Sequence, residues 1–130
     1  MSGNRIVLDT NAVITLIVGE EPLKRIVRRY ENLLLPVIVI GELVYGAEKS
    51  AKPELNFERI RLFKSGCEVL AVNEATAHRF GVTRNLLRSK GKPIPDNDLW
   101  IAALAMEHEV PVLTRDRHFQ SVDGLQTVTW

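Results

Sequence analysis

Short, mostly apolar runs constrain this chain most. They fall at residues 6–8, 33–37, 68–72, 112–114 and 127–130. Successive side chains of a strand point to opposite faces, so a continuous apolar run suits a strand covered on both sides. Between the runs the apolar spacing becomes helical. Leu23, Ile26, Val27 and Tyr30 fall at i, i+3, i+4 and i+7, and so do Ile40, Leu43, Val44 and Ala47. Leu99, Ala102, Ala103, Met106 and Val110 carry the same spacing over three turns, and Phe57, Ile60 and Phe63 mark another helix. Asn73 reads as an N-cap and Gly91 as the stop of the helix between them. Strands alternating with helices predict an α/β domain on a mainly parallel sheet, with residues 1–130 as one unit.

The length agrees, since 130 residues lie within the ~100–200 of an ordinary domain. A chain of this size needs no disulfide or metal staple. The single cysteine, Cys67, can form neither an internal disulfide nor a cysteine-rich zinc site, which points to a reducing cytoplasm. Residues 1–5 read as polar, and the apolar run after them is too short for a signal-peptide core. Residues 33–40 fall far below the ~20 that a membrane helix needs. Seventeen Lys and Arg against sixteen Asp and Glu leave a net charge of +1. That balance excludes a uniformly basic nucleic-acid binder and an acidic disordered chain. Any affinity for nucleic acid must come from local clustering.

In open parallel sheets the binding crevice lies beyond the carboxyl ends of the strands. Acids stand there. Asp9 follows residues 6–8, and Glu42 lies about one turn into the helix after residues 33–37. Asp116 follows residues 112–114 after one Arg, and Asp98 opens the long helix after Pro95. A parallel sheet would gather these four carboxylates at one edge, where they repel and raise one another's pKa. Hard divalent cations relieve that repulsion. Mg²⁺ takes carboxylate oxygens and keeps several waters, and two such ions ~4 Å apart clamp the attacking and leaving oxygens of a phosphodiester. Such chemistry needs positioning and charge stabilisation more than a side-chain nucleophile, and no Ser-His or Cys-His pairing stands out.

Each acid also has an ordinary alternative. Asp98 can complement a helix N-terminus, with Asp96 or Asn97 as the cap. Asp9-Thr10-Asn11 can be turn chemistry, with Asn11 capping a helix. Asp116 between Arg115 and Arg117 can be a surface ion pair. Glu42 is hardest to dismiss, because it sits among Val39, Ile40, Leu43 and Val44, where an unpaired acid is costly.

Four segments, in this order, carry a resemblance over nearly the whole chain. They are Val7-Leu8-Asp9-Thr10-Asn11, then Gly41-Glu42-Leu43-Val44-Tyr45-Gly46 (a Glu-Leu-x-x-Gly), then Pro95-Asp96-Asn97-Asp98-Leu99-Trp100-Ile101-Ala102-Ala103, and finally Leu113-Thr114-Arg115-Asp116-Arg117-His118-Phe119. Together they resemble the PIN-domain ribonucleases, specifically the VapC-type toxins of toxin–antitoxin modules. The resemblance implies a three-layer α/β/α sandwich, dependence on Mg²⁺ or Mn²⁺, and endonucleolytic cleavage of RNA. It implies that Asp9, Glu42, Asp98 and Asp116 are the metal-binding, catalytic acids. Thr10, Asn11 and Thr114 resemble the polar residues that orient acids or waters, and Asp96 reads as a cap or outer acid. Also implied are a homodimer and a cognate antitoxin, which would lay a segment across the groove and insert a basic side chain into the acidic pocket.

Charge is unevenly distributed. Arg79, Arg84, Arg88, Lys90 and Lys92 occur with no acid among them, and Lys24, Arg25, Arg28 and Arg29 form a second cluster offset by Glu20, Glu21 and Glu31. Phosphate contacts supply affinity without sequence preference, so Arg84, Arg88, Lys90 and Lys92 are the expected RNA-binding residues. His78 and His108 are not spaced as metal ligands. His118, two residues past Asp116, is within reach of a phosphate but is left without a role. Cys67 is expected in the core. Competing readings are a structure-specific or DNA-directed nuclease with the same pocket, and a non-catalytic RNA-binding scaffold. An aspartyl-phosphate enzyme fits less well, since Asp9-Thr10-Asn11 lacks a second acid two residues on.

Overall fold

The computed structural model describes residues 4–130; residues 1–3 of the polar start lie outside the described residues. Among the described residues five strands form one sheet, parallel throughout: β1 (Arg5–Leu8), β2 (Asn32–Pro36), β3 (Glu68–Leu70), β4 (Val112–Leu113) and β5 (Thr127–Val128), in the order β3-β2-β1-β4-β5. Helices fill the crossovers: α1 (Thr10–Val18) and α2 (Glu21–Val27) after β1, α3 (Val37–Glu48) and α4 (Pro53–Ser65) after β2, α5 (Glu74–Ser89) and α6 (Asp96–His108) after β3. A 3₁₀ turn, Arg117–Ser121, precedes β5. The chain steps one way from β1 to β3 and back the other way from β3 through β4 to β5. Right-handed crossovers therefore put α1–α4 on one face and α5–α6 on the other, making an α/β/α sandwich.

The core follows from the apolar runs. Ile6, Val7, Leu8, Leu34, Leu35, Val112 and Leu113 are fully buried, and Leu99, Ile101, Leu104 and Phe119 pack over them. Burying each large side chain of this kind is worth ~1.5–3 kcal/mol.

Local chemistry set the boundaries that spacing could not. The run at 33–37 stops as a strand at Pro36, which has no N–H to donate, and Val37 already begins α3. The helix read from 23 to 30 ends at Val27, and the Tyr30 N–H bonds back to the Val27 carbonyl in a tighter turn. The long helix ends at His108. Glu109 takes a left-handed conformation (φ 55°) that returns Val110 to the core. Asn73 caps α5 in a reciprocal capping box with Thr76, and Gly91 follows the helix at φ 70°. The strands at 68–72 and 127–130 stop early, at Leu70 and Val128, and they are not covered on both faces: they form the two edges of the sheet, where Glu68 and Val69 are exposed and Thr127 and Val128 are half-buried. The apolar spacing does not reveal α1, because its sequence TNAVITLIV is almost wholly apolar after Asn11 and offers few polar positions against which a face can be read.

Candidate active site

The strand order reverses between β1 and β4, so the crevice at their carboxyl ends is the topological switch point. Asp9 follows β1 there. It is the N-cap of α1, with extended backbone (φ −81°, ψ 175°), and its Oδ1 accepts the Ala12 N–H at 2.8 Å. The cap is Asp9 and not Asn11, which lies exposed in the first turn of the helix. Only 4% of Asp9 is exposed. Burial is the main cause that pushes its pKa above the ordinary carboxylate range; hydrogen bonds from Thr114 and Ala12 oppose the rise, and the charges of Asp98 and Asp116 add to it.

Glu42 reaches the same region from the second turn of α3. It is half-buried, and the Thr10 hydroxyl donates to its Oε1 at 2.6 Å. The residue after Asp9 thus holds the acid of another helix. Asp98 stands in the first turn of α6. Its pKa is also raised, chiefly by burial, with the charges of Asp116 and Glu42 adding and His118 opposing. Asp116 caps the 3₁₀ turn: its Oδ1 accepts the His118 N–H at 2.9 Å, and its own N–H donates to the Thr114 Oγ1 at 2.9 Å. Thr114, 1% exposed, therefore touches both Asp9 and the loop that presents Asp116.

His118, left without a role by the spacing argument, joins the acids. Its Nδ1 lies 3.2 Å from Asp98 Oδ2 and 3.0 Å from Asp116 Oδ1. Asp98, Asp116 and His118 each offer a ligand atom, all within 4.8 Å of one another. The available signal was its place two residues after Asp116 and directly before the wholly buried Phe119, which anchors the turn.

Asp96 neither caps α6 nor joins the cluster. Pro95 occupies the cap position without a side-chain bond, and Asp96 pairs with Arg84 at 3.4 Å on the surface. The basic cluster is correspondingly less free than its sequence implied. Lys90 binds Asp123 at 3.1 Å and the Ser121 carbonyl at 2.9 Å, while Arg88 and Lys92 are exposed. In the second cluster Arg28 pairs with Glu21. Elsewhere His78 is exposed on α5 and His108 ends α6. Trp100 stacks on Phe80 at 4.0 Å between ring centroids. Cys67 is only half-buried, packed against the core's edge, and burial pushes its thiol up to about 11.

The donor set suits a hard divalent cation. Carboxylates from separate elements are held in place by their own hydrogen bonds, and two of them are pushed toward neutrality by burial and by like charges.

The sequence profile of the PIN domain matches residues 6–125. Among curated proteins, the chain is 35% identical over 127 residues to "Ribonuclease VapC2" of Haemophilus influenzae, covering 95% of this chain and 96% of that one. It is 33% identical over 131 residues to "tRNA(fMet)-specific endonuclease VapC" of Shigella flexneri, covering 97% and 98%. Among solved structures, it resembles DNA-bound VapBC from Salmonella typhimurium (TM-score 0.91, 32% identity, 98% of each chain) and promoter-bound VapBC2 from Rickettsia felis (TM-score 0.91, 26% identity, 97% and 98%). Sheet order, strand-end acids and relatives agree: the chain belongs to the PIN-domain family, among the VapC-type ribonucleases of toxin–antitoxin modules.

Proposed function

We propose that this chain is a divalent-cation-dependent endoribonuclease and the toxin of a toxin–antitoxin pair. One observation carries the reading: acids from separate elements, Asp9 buried and Glu42, Asp98 and Asp116 partly buried, lie at the switch point, and among the described residues no Lys or Arg pairs with them. Asp9, Glu42, Asp98 and Asp116 would hold the cation, Mg²⁺ or Mn²⁺. When bound, it supplies Lewis-acid stabilisation of the charge that develops on a phosphodiester's oxygens. The chain's own part is positioning. The Ala12 N–H fixes Asp9, Thr10 orients Glu42, and Thr114 sets the loop that presents Asp116. Asn11, exposed beside them, faces solvent where a substrate would approach. Arg88 and Lys92, with Arg84 and Lys90 once their acids are displaced, offer phosphate contacts.

The partner is a cognate antitoxin, and the toxin is a homodimer. The relatives solved as VapBC complexes support the antitoxin. So does an apolar groove of about 300 Å³ lined by Ile14, Ile17, Val18, Leu43 and Ile60, with Glu42 on its wall. A segment lying there borders the acids directly. Among the described residues no helix is long and apolar enough to cross a membrane.

The test is cleavage of total cellular RNA by purified protein with Mg²⁺ or Mn²⁺, with chelator, and with Asp9→Asn alongside. Cleavage that needs metal and vanishes in the variant is expected. Equal cleavage by both proteins overturns the assignment. Growth arrest on induction, relieved by co-expressing the neighbouring reading frame, tests the toxin role.

A further inference from the structure

The position of His118 exceeds what a four-acid site requires. Asp116 accepts the His118 N–H, and Phe119 is wholly buried, so the ring is delivered to the acids by a loop with little freedom. Its Nδ1 then stands 3.0 Å from an Asp116 oxygen and 3.2 Å from an Asp98 oxygen. Ligands at right angles around an ion with ~2.1 Å bonds sit about 3.0 Å apart. Nδ1 is thus spaced from each oxygen as a neighbouring ligand of one ion as well as a hydrogen-bond partner. The ring is 48% exposed, so a cation and its waters can reach the cluster from solvent.

We propose that His118 is itself a ligand of the cation site, through Nδ1 and beside Asp98 and Asp116, and that it biases the site toward Mn²⁺ over Mg²⁺. The inference rests on the metal-dependent reading above. An all-oxygen set suits Mg²⁺, whereas an imidazole nitrogen is a better ligand for a transition ion such as Mn²⁺ than for the harder Mg²⁺. His78 and His108 lie on α5 and at the end of α6, outside the cluster, so a nitrogen signal at the site has one histidine source.

The experiment is pulsed electron paramagnetic resonance on the full chain loaded with Mn²⁺. Nitrogen modulation from a bound imidazole is expected. It disappears in His118→Ala and His118→Gln, both of which still bind Mn²⁺, with affinity lowered roughly tenfold or more. Calorimetric titration with Mg²⁺ should show a smaller change, so the preference for Mn²⁺ shrinks. Mn²⁺ bound by the parent protein without nitrogen modulation overturns the inference and leaves the metal-dependent reading intact. So does modulation that persists in His118→Ala. Failure of the parent protein to bind Mn²⁺ at all, indistinguishable from Asp9→Asn, overturns both. The parent spectrum decides the main point without any variant having to fold.

Discussion

The strand-end acids and the basic face of α5 are opposite answers to the same electrostatic problem. The acids are drawn out of water beside one another, and Asp9 and Asp98 are held above the ordinary carboxylate range by burial and mutual repulsion. The cations of α5 stay in water, and two of them find acids: Arg84 takes Asp96 and Lys90 takes Asp123. Exposed pairs of that kind contribute ~0–1 kcal/mol, so they set no geometry. Like charges gathered in a partly buried pocket are costly to the fold, and folding alone gives no reason for them. The region that is electrostatically worst for stability is therefore the one expected to do the chemistry.

Removing one acid should break this contrast most sharply. Asn at position 9 can still accept the Ala12 N–H, so Asp9→Asn keeps the α1 cap while removing the charge. RNA cleavage should fall by a factor on the order of 10²–10³ or more. In the same variant the metal-free melting temperature should rise, because a repelling charge is gone. A fall in both activity and metal-free stability would mean that Asp9 is structural.

The cation and the proton should act on the pocket in competition. At a concentration of 100 times its dissociation constant, Mn²⁺ should stabilise the parent protein by ~2.7 kcal/mol, reversibly on chelation, and Asp9→Asn much less. Without metal the sign is set by the raised folded-state values of Asp9 and Asp98. Their protonated forms favour the fold, so their contribution to stability is full below the unfolded carboxylate value. It is lost as pH rises through the higher folded values. The metal-free stability difference between parent and Asp9→Asn, from urea midpoints, should therefore narrow as pH falls from 7 toward about 4. A difference that widens would reverse the electrostatic account.

Smaller effects sharpen the picture. Thr10→Val removes the hydroxyl on Glu42 Oε1 and should lower cleavage about tenfold, a single neutral-to-charged hydrogen bond being worth ~1.5 kcal/mol or more, with little change in melting temperature. On the basic face, substituting Arg84, Arg88 and Lys90 together should weaken RNA binding and flatten its salt dependence by about two in logarithmic slope, at ~0.7 per phosphate contact. Asp96→Asn frees Arg84 and should slightly steepen that slope. An unchanged slope in the triple variant would show that RNA does not cross this face.

Much of this was determined by sequence alone. The apolar runs at 6–8, 33–37 and 112–114 require strands covered on both faces, and an acid placed just past such a run is brought to the sheet's carboxyl edge. Those are local constraints, encoded by period and spacing. Asn73 as a cap is local in the same way, needing only Thr76 three residues on. Tertiary structure decided the rest. Nothing in the sequence spacing pairs Arg84 with Asp96, Lys90 with Asp123, or Thr10 with Glu42 across 32 residues. In α1 only packing against α2 and α3 decided which of its apolar side chains are buried and which, such as Ile14 and Val18, stay exposed. His118 meets Asp98 only because β4 lies beside β1 and Phe119 anchors the turn after it. Periodicity tells a residue which face to bury, while the partners of a buried or charged side chain are chosen by which elements the fold sets side by side.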